Sequence, residues 1–139
     1  MNVAVPALLL YSIVGAVVLV YVPYLVVAYG RFQVGMDIAA PRAMFDRLPP
    51  YAQRATWAHQ NSFEALMIYA PAALMAYGTG VDSPWAAYGA IAFLVARLLF
   101  SLFYIVNLPL GRSLMFGIGS ACSLTLYVLS LLTVGPILD

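Results

Sequence analysis

The stretch VAVPALLLYSIVGAVVLVYVPYLVVAY, residues 3–29, contains no charged side chain. About 20 apolar residues suffice to cross the hydrocarbon core of a bilayer, so this run is a membrane span. A secretory signal would begin with a positive segment and carry a shorter apolar core. No Lys or Arg precedes Arg31, so the run is expected to be a retained helix. Outward from it, residues 30–54 hold six of the eleven charges (Arg31, Asp37, Arg42, Asp46, Arg47 and Arg54) together with Pro41, Pro49 and Pro50. That composition predicts a polar connection with turns. Apolar sequence resumes over 55–77. A turn-rich link, Gly78 to Pro84, follows, with Trp85 behind it as an interfacial anchor. A third span covers 85–106 and a fourth 113–138, separated by a short turn at 107–112. The expected architecture is an all-α membrane protein, a single domain of four transmembrane helices over residues 1–139.

Composition demands the same class. Of 139 residues, 65% are hydrophobic and 8% charged, with a mean hydropathy of +0.97. A soluble domain carries about a quarter charged residues, and eleven charges cannot solvate a globule of this length. A net charge of +1, from six Arg and no Lys against five acids, provides no field for nucleic acid. One Cys and one His cannot build a zinc or iron–sulfur site unaided, so no metal is expected. A Ser–His–Asp arrangement would depend on His59 alone, without a flanking nucleophile signature. Repeated short alternating segments, which a β-barrel needs, are absent.

The Arg distribution orients the chain. With four spans, the first and third connections share a side, and they hold Arg31, Arg42, Arg47, Arg54 and Arg112. The opposite side, with both termini and the 78–84 link, holds no Lys or Arg. The positive-inside rule then places loops 30–54 and 107–112 in the cytoplasm and both termini outside it.

Two ionisable residues, Glu64 and Arg97, fall within apolar spans, where a charge costs about 2.5–3.5 kcal/mol on insertion scales. Glu64 lies ten residues after Arg54, and Arg97 ten before Asn107. Both are therefore about 15 Å along their helices from the same side. Helices two and three, joined by a short link, are expected to run antiparallel, so a Glu64–Arg97 ion pair is expected. Arg54, Asn61 and Glu64 share one helical face, and Arg97, Ser101 and Tyr104 share another. The two stripes would form a polar, cationic groove open to the cytoplasm, suited to an anionic ligand with a lipophilic partner arriving from the bilayer. The same residues could instead only pin helix register. Arg31, Arg42 and Arg47 read as solvated or lipid-facing charges, and His59 as a polar residue near a helix start. Gly117, Ser120, Ala121 and Ser123 read as packing residues, and Tyr69, Tyr77 and Tyr88 as core or belt aromatics.

The run Arg54-Ala-Thr-Trp-Ala-His-Gln-Asn61-Ser-Phe-Glu64, with Arg97-Leu-Leu-Phe-Ser-Leu-Phe-Tyr104-Ile-Val-Asn-Leu-Pro-Leu-Gly-Arg112-Ser113, resembles the signature of MAPEG proteins, the membrane-associated proteins in eicosanoid and glutathione metabolism. The likeness is to the microsomal glutathione transferase type and to bacterial-type members. It implies homotrimers of four-helix subunits with glutathione held between neighbouring subunits near the cytoplasmic face. By the same resemblance Arg54, His59, Asn61, Glu64, Arg97 and Tyr104 lie at or beside glutathione, with Ser101 and Ser113 as hydrogen-bond donors to the sulfur. Arg112 would be the catalytic residue that favours the thiolate, since a nearby cation lowers a thiol pKa from about 8.5. The chain departs from the glutathione-using members at Trp57 and Gln60, where they carry Arg, and from the eicosanoid type at Phe116, where they carry Tyr.

Three functions follow. The first is a glutathione transferase or peroxidase acting on lipophilic electrophiles or lipid hydroperoxides. The second is a non-catalytic protein on the same scaffold, binding a lipid or other anionic ligand in the groove; Trp57 and Gln60 favour it. The third, a proton-coupled transporter, needs a carboxylate free to release its proton, which an Arg97 partner would oppose.

Overall fold

In a computed structural model, which describes residues 4–136, four long helices form the bundle: α1 (Val5–Gln33), α2 (Pro50–Gly78), α3 (Pro84–Ile105) and α4 (Pro109–Val134). A short 3-10 helix, η1 (Pro41–Arg47), lies between α1 and α2. All five begin with a proline in the first turn. Proline is favoured there because its fixed φ suits a helix and its missing N–H would have had no partner. This is why α2 and α4 start earlier than the expected 55 and 113. Pro49-Pro50 and Leu108-Pro109 look like turns in sequence, but the second residue of each pair opens a helix. The expected 30–54 loop is correspondingly shorter. The expected first-span start at Val3 and fourth-span end at Leu138 lie outside the described residues.

α1, α3 and α4 are each long and apolar enough to cross a membrane. α2 has the length, 29 residues, but its first half carries Arg54, His59, Gln60, Asn61 and Glu64. It packs against all three other helices, which shelter part of that polarity. α1 packs chiefly on α2, and α4 chiefly on α3, so α1 and α4 flank a central α2–α3 pair. Large apolar side chains such as Val14, Leu25, Met67 and Leu132 cover the outside, a surface suited to lipid and not to water. The protein is an integral membrane protein.

Small residues allow the close approach. Ala52, Ala55, Ala58, Ala72, Ala73 and Ala76 of α2 are fully buried, and small side chains let helix backbones come together in lipid. At Gly30 a Cβ would stand 2.5 Å from the Ala52 Cβ, so only glycine permits this crossing of α1 and α2. Deeper in the bundle, Tyr69 stacks on Phe93 with ring centroids 3.6 Å apart. The Tyr69 hydroxyl shares a 2.6 Å hydrogen bond with Ser12 of α1.

The segment between α1 and α2 is an ordered cap. Met44 and Leu48 are buried, and the Asp37 carboxylate accepts from the backbone N–H groups of Ala39 and Ala40. Gln53 of α2 donates to the Phe45 carbonyl at 3.2 Å, and Tyr51 donates to Gln33.

Candidate functional site

Arg97 is the organising residue. It is 4% exposed on α3, and its Nη2 donates to Asn61 Oδ1 at 3.0 Å and to Ser62 Oγ at 3.1 Å, both on α2. Its guanidinium lies 4.0 Å from the centre of the Phe100 ring, a cation–π contact that partly replaces lost hydration. Asn61 in turn donates from Nδ2 to Glu64 Oε2 at 3.4 Å. The expected Glu64–Arg97 ion pair is therefore a relay through Asn61. Glu64 lies nearly one turn beyond Asn61, and the amide, being closer to the guanidinium, accepts from it through Oδ1 and donates through Nδ2 to the carboxylate.

One edge of Arg97 is left over: its Nε has no hydrogen-bond partner. Beside it lies a cavity of about 300 Å³ between α2, α3 and α4, with Asn61, Glu64 and Arg97 at one side and Phe93, Phe116 and Tyr127 among its apolar walls. Gly119 of α4 passes close to the Arg97 stem: a Cβ there would lie 3.5 Å from Arg97 Cδ, in ordinary contact. Tyr127 ties α4 to α2 by donating to the Ile68 carbonyl at 2.9 Å.

A second group gathers at the α3–α4 turn. Arg112, in the first turn of α4, places its guanidinium 4.4 Å from the centre of the Tyr104 ring. Trp57, 43% exposed, stands with its ring 6.4 Å from Tyr104 and 5.6 Å from Phe45 of η1. Phe100 meets Tyr104 edge-on at 5.5 Å. Arg54 donates from Nε to the Ile105 carbonyl at 2.8 Å, closing the C-terminal end of α3, where carbonyls lack helical partners. The turn itself needs Asn107 at φ 63°, a left-handed conformation that Asn tolerates better than most residues.

The structure thus brings Asn61, Glu64 and Arg97 into one network and Arg54, Tyr104 and Arg112 to one end of α3. Ser101 is buried with its Oγ unpartnered, and Ser113 is exposed in the first turn of α4. His59 faces away from both groups: its Nδ1 donates to the Val20 carbonyl of α1 at 2.7 Å, and its ring lies 5.3 Å from Tyr24. This contact fastens α2 to α1 beside Pro23.

A sequence model of the MAPEG family matches residues 8–132, nearly the whole chain. The chain belongs to the MAPEG family. No curated protein and no solved structure matches it.

For this MAPEG protein, sequence reasoning missed Ser62, Phe100 and Gly119. Phe100 was open to detection, because it follows Arg97 by three residues and so shares its face. Ser62 and Gly119 give no such signal; their roles depend on how closely α2 and α4 approach α3. Ser120 and Ser123, expected only to pack, also line the Arg97 cavity.

Proposed function

We propose that this MAPEG protein is a membrane-bound glutathione transferase or peroxidase acting on lipophilic electrophiles or lipid hydroperoxides. The observation that carries the reading is Arg97, held by Asn61 and Ser62, lining a cavity whose other walls include Ile68, Phe116 and Leu124, exposed on the apolar outer surface. A cation on the wall of an apolar cavity suits an anionic ligand meeting a lipophilic one.

In this reading Arg97, Asn61 and Glu64 bind the tripeptide's polar groups, since Arg forms paired hydrogen bonds with carboxylates and Glu64 can receive an ammonium. Arg54 and Tyr104 border the same ligand toward the cytoplasm, with Ser101 and Ser113 as secondary donors. Arg112 stabilises the sulfur as a thiolate, its proton passing to water. The sulfur lone pair then bonds to an electrophilic carbon or a peroxide oxygen, and the leaving group departs with the electron pair. Following the family resemblance, the working unit is a homotrimer with each glutathione between neighbouring subunits. The α1–α2 and α3–α4 connections face the cytoplasm and both termini lie outside it.

Arg112→Ala is expected to reduce conjugation about a hundredfold, as loss of one oxyanion-type donor does, while crosslinking still returns a trimer. Full activity in that variant would remove Arg112 from the mechanism. Orientation is checked by a Cys placed at Arg47 in a Cys122→Ala background. An impermeant maleimide added to intact cells should leave it unlabelled, and labelling would invert the topology.

A second reading, ligand binding without catalysis, is favoured by the lower cation count. Arg54 Nε is engaged with Ile105, and Trp57 offers a ring where glutathione-using relatives carry Arg. Failure to bind millimolar glutathione would put this reading first.

A further inference from the structure

Among the described residues, the most exposed large apolar side chains are Leu110, 87% exposed, and Ile38, 85% exposed. Both lie in or beside connections, and both connections sit at one end of the bundle. At that end Gly30 of α1 crosses Ala52 of α2, and Arg54 of α2 reaches the Ile105 carbonyl at the close of α3. We propose that the α1–α2 and α3–α4 connections together form a footing in the lipid leaflet at that end, with Ile38 and Leu110 inserted at the top of the acyl chains. Neither residue lines the Arg97 cavity or the cleft between α1 and α2.

Each side chain is held outward by an ordered turn. Gly35 takes the chain out of α1 at φ 85°, a left-handed conformation that glycine adopts freely. The Asp37 carboxylate then accepts from the N–H groups of Ala39 and Ala40, while the Asp37 N–H donates to Sδ of the buried Met44 at 3.2 Å. Ile38 stands at the tip of this knuckle. At the other connection, the Leu108 N–H donates to the Phe103 carbonyl at 2.8 Å, and a Cβ on Gly111 would stand 2.8 Å from the Phe103 ring. Leu110 lies between these two fixed points. The α2–α3 link at the opposite end does the reverse: Val81 is buried and Asp82 is exposed.

Depth and continuity name the occupant. α3 has 22 residues, about 33 Å at 1.5 Å per residue, which matches a hydrocarbon core about 30 Å thick. The level of Ile105 and Arg54 is then the edge of that core, and the headgroup layer extends about 5–8 Å beyond it. Both connections begin in this layer. Leu110 continues the exposed Leu114 and Ile118 of α4 at every fourth residue, and the knuckle follows the exposed Tyr29 and Phe32 of α1. The lipid-facing stripes are thus carried past the helix ends. η1 then exposes Arg42, Asp46 and Arg47, the charged side that an interfacial segment keeps among headgroups and water while its apolar side enters the leaflet. Exposed apolar surface rimmed by polar residues marks a contact, and continuity with the lipid-facing helices makes that contact lipid.

The test is collision accessibility of a spin label on the full-length protein in liposomes of phosphatidylcholine and phosphatidylglycerol. The label is placed by Ile38→Cys, Leu110→Cys or, as the control at the opposite end, Asp82→Cys, each in a Cys122→Ala background. All three labelled positions are exposed, so the variants are expected to fold. At 38 and 110, collision with a water-soluble nickel chelate should be lost while collision with oxygen, which concentrates in hydrocarbon, is retained. At 82 the nickel chelate should collide freely. Nickel collision at either 38 or 110 equal to that at 82 would overturn the proposal, because that connection would then stand in water. Loss of both reagents at either position would also overturn it, in favour of a protein contact.

Discussion

Tyr69 and Arg97 are both buried polar side chains at the α2–α3 seam, and they solve the cost of burial differently. The Tyr69 hydroxyl is paired with Ser12, its ring is stacked on Phe93, and the residue is fully enclosed. Every polar atom there is accounted for within the bundle, which is what a register-fixing contact requires. Arg97 has two partners on α2 but keeps an unpartnered Nε beside open volume. Phe93 belongs to both neighbourhoods, so a single ring separates a closed polar contact from an open one. A polar group enclosed and satisfied within the bundle holds the fold, whereas a cation that lines a cavity can also serve a ligand.

The comparison breaks most visibly at Arg97. Arg97→Ala removes two hydrogen bonds to a charged donor and orphans Asn61 and Ser62, a loss of about 3 kcal/mol. Thermal unfolding in detergent should show it, and glutathione binding should vanish with it. Binding that survived in a folded variant would make Arg97 a register residue like Tyr69. A smaller change sharpens the ligand side. Trp57→Arg places a cation beside Tyr104, and one charge-assisted hydrogen bond should tighten glutathione about tenfold by calorimetry. No tightening would indicate that residue 57 lies outside the ligand's reach. The smallest effect is expected at Tyr69→Phe, about 0.6 kcal/mol, the average for a polar contact between membrane helices. Activity should be unchanged, and a loss of turnover would erase the distinction between the two sites.

Much of this was legible from the sequence, and the limits have physical reasons. The membrane bundle follows from charge-free runs, because the cost of burying charge in lipid is large and local. The meeting of α2 and α3 polar residues follows from equal depth, since rise per residue is fixed. What depth and spacing do not give is which side chain reaches first, and so the Asn61 relay was not foreseen. His59 shows a second limit. Two residues from Asn61 is about 200° around a helix, which sets the two side chains on opposite sides, one toward Arg97 and the other toward Val20. Motif proximity grouped them, while helical geometry separates them. The order in residues 30–54 was also hidden, because it rests on Met44 and Leu48 docking into contacts far along the chain.

The central claim, that Arg97 of α3 and Arg112 of α4 hold an activated thiol, is tested most directly by the ultraviolet absorbance of glutathione thiolate on the purified protein near neutral pH. The account predicts a thiolate signal in the wild type that Arg112→Ala abolishes, although the tripeptide still binds. Glutathione bound as the thiol in both proteins, or a thiolate signal that survives without Arg112, would contradict it.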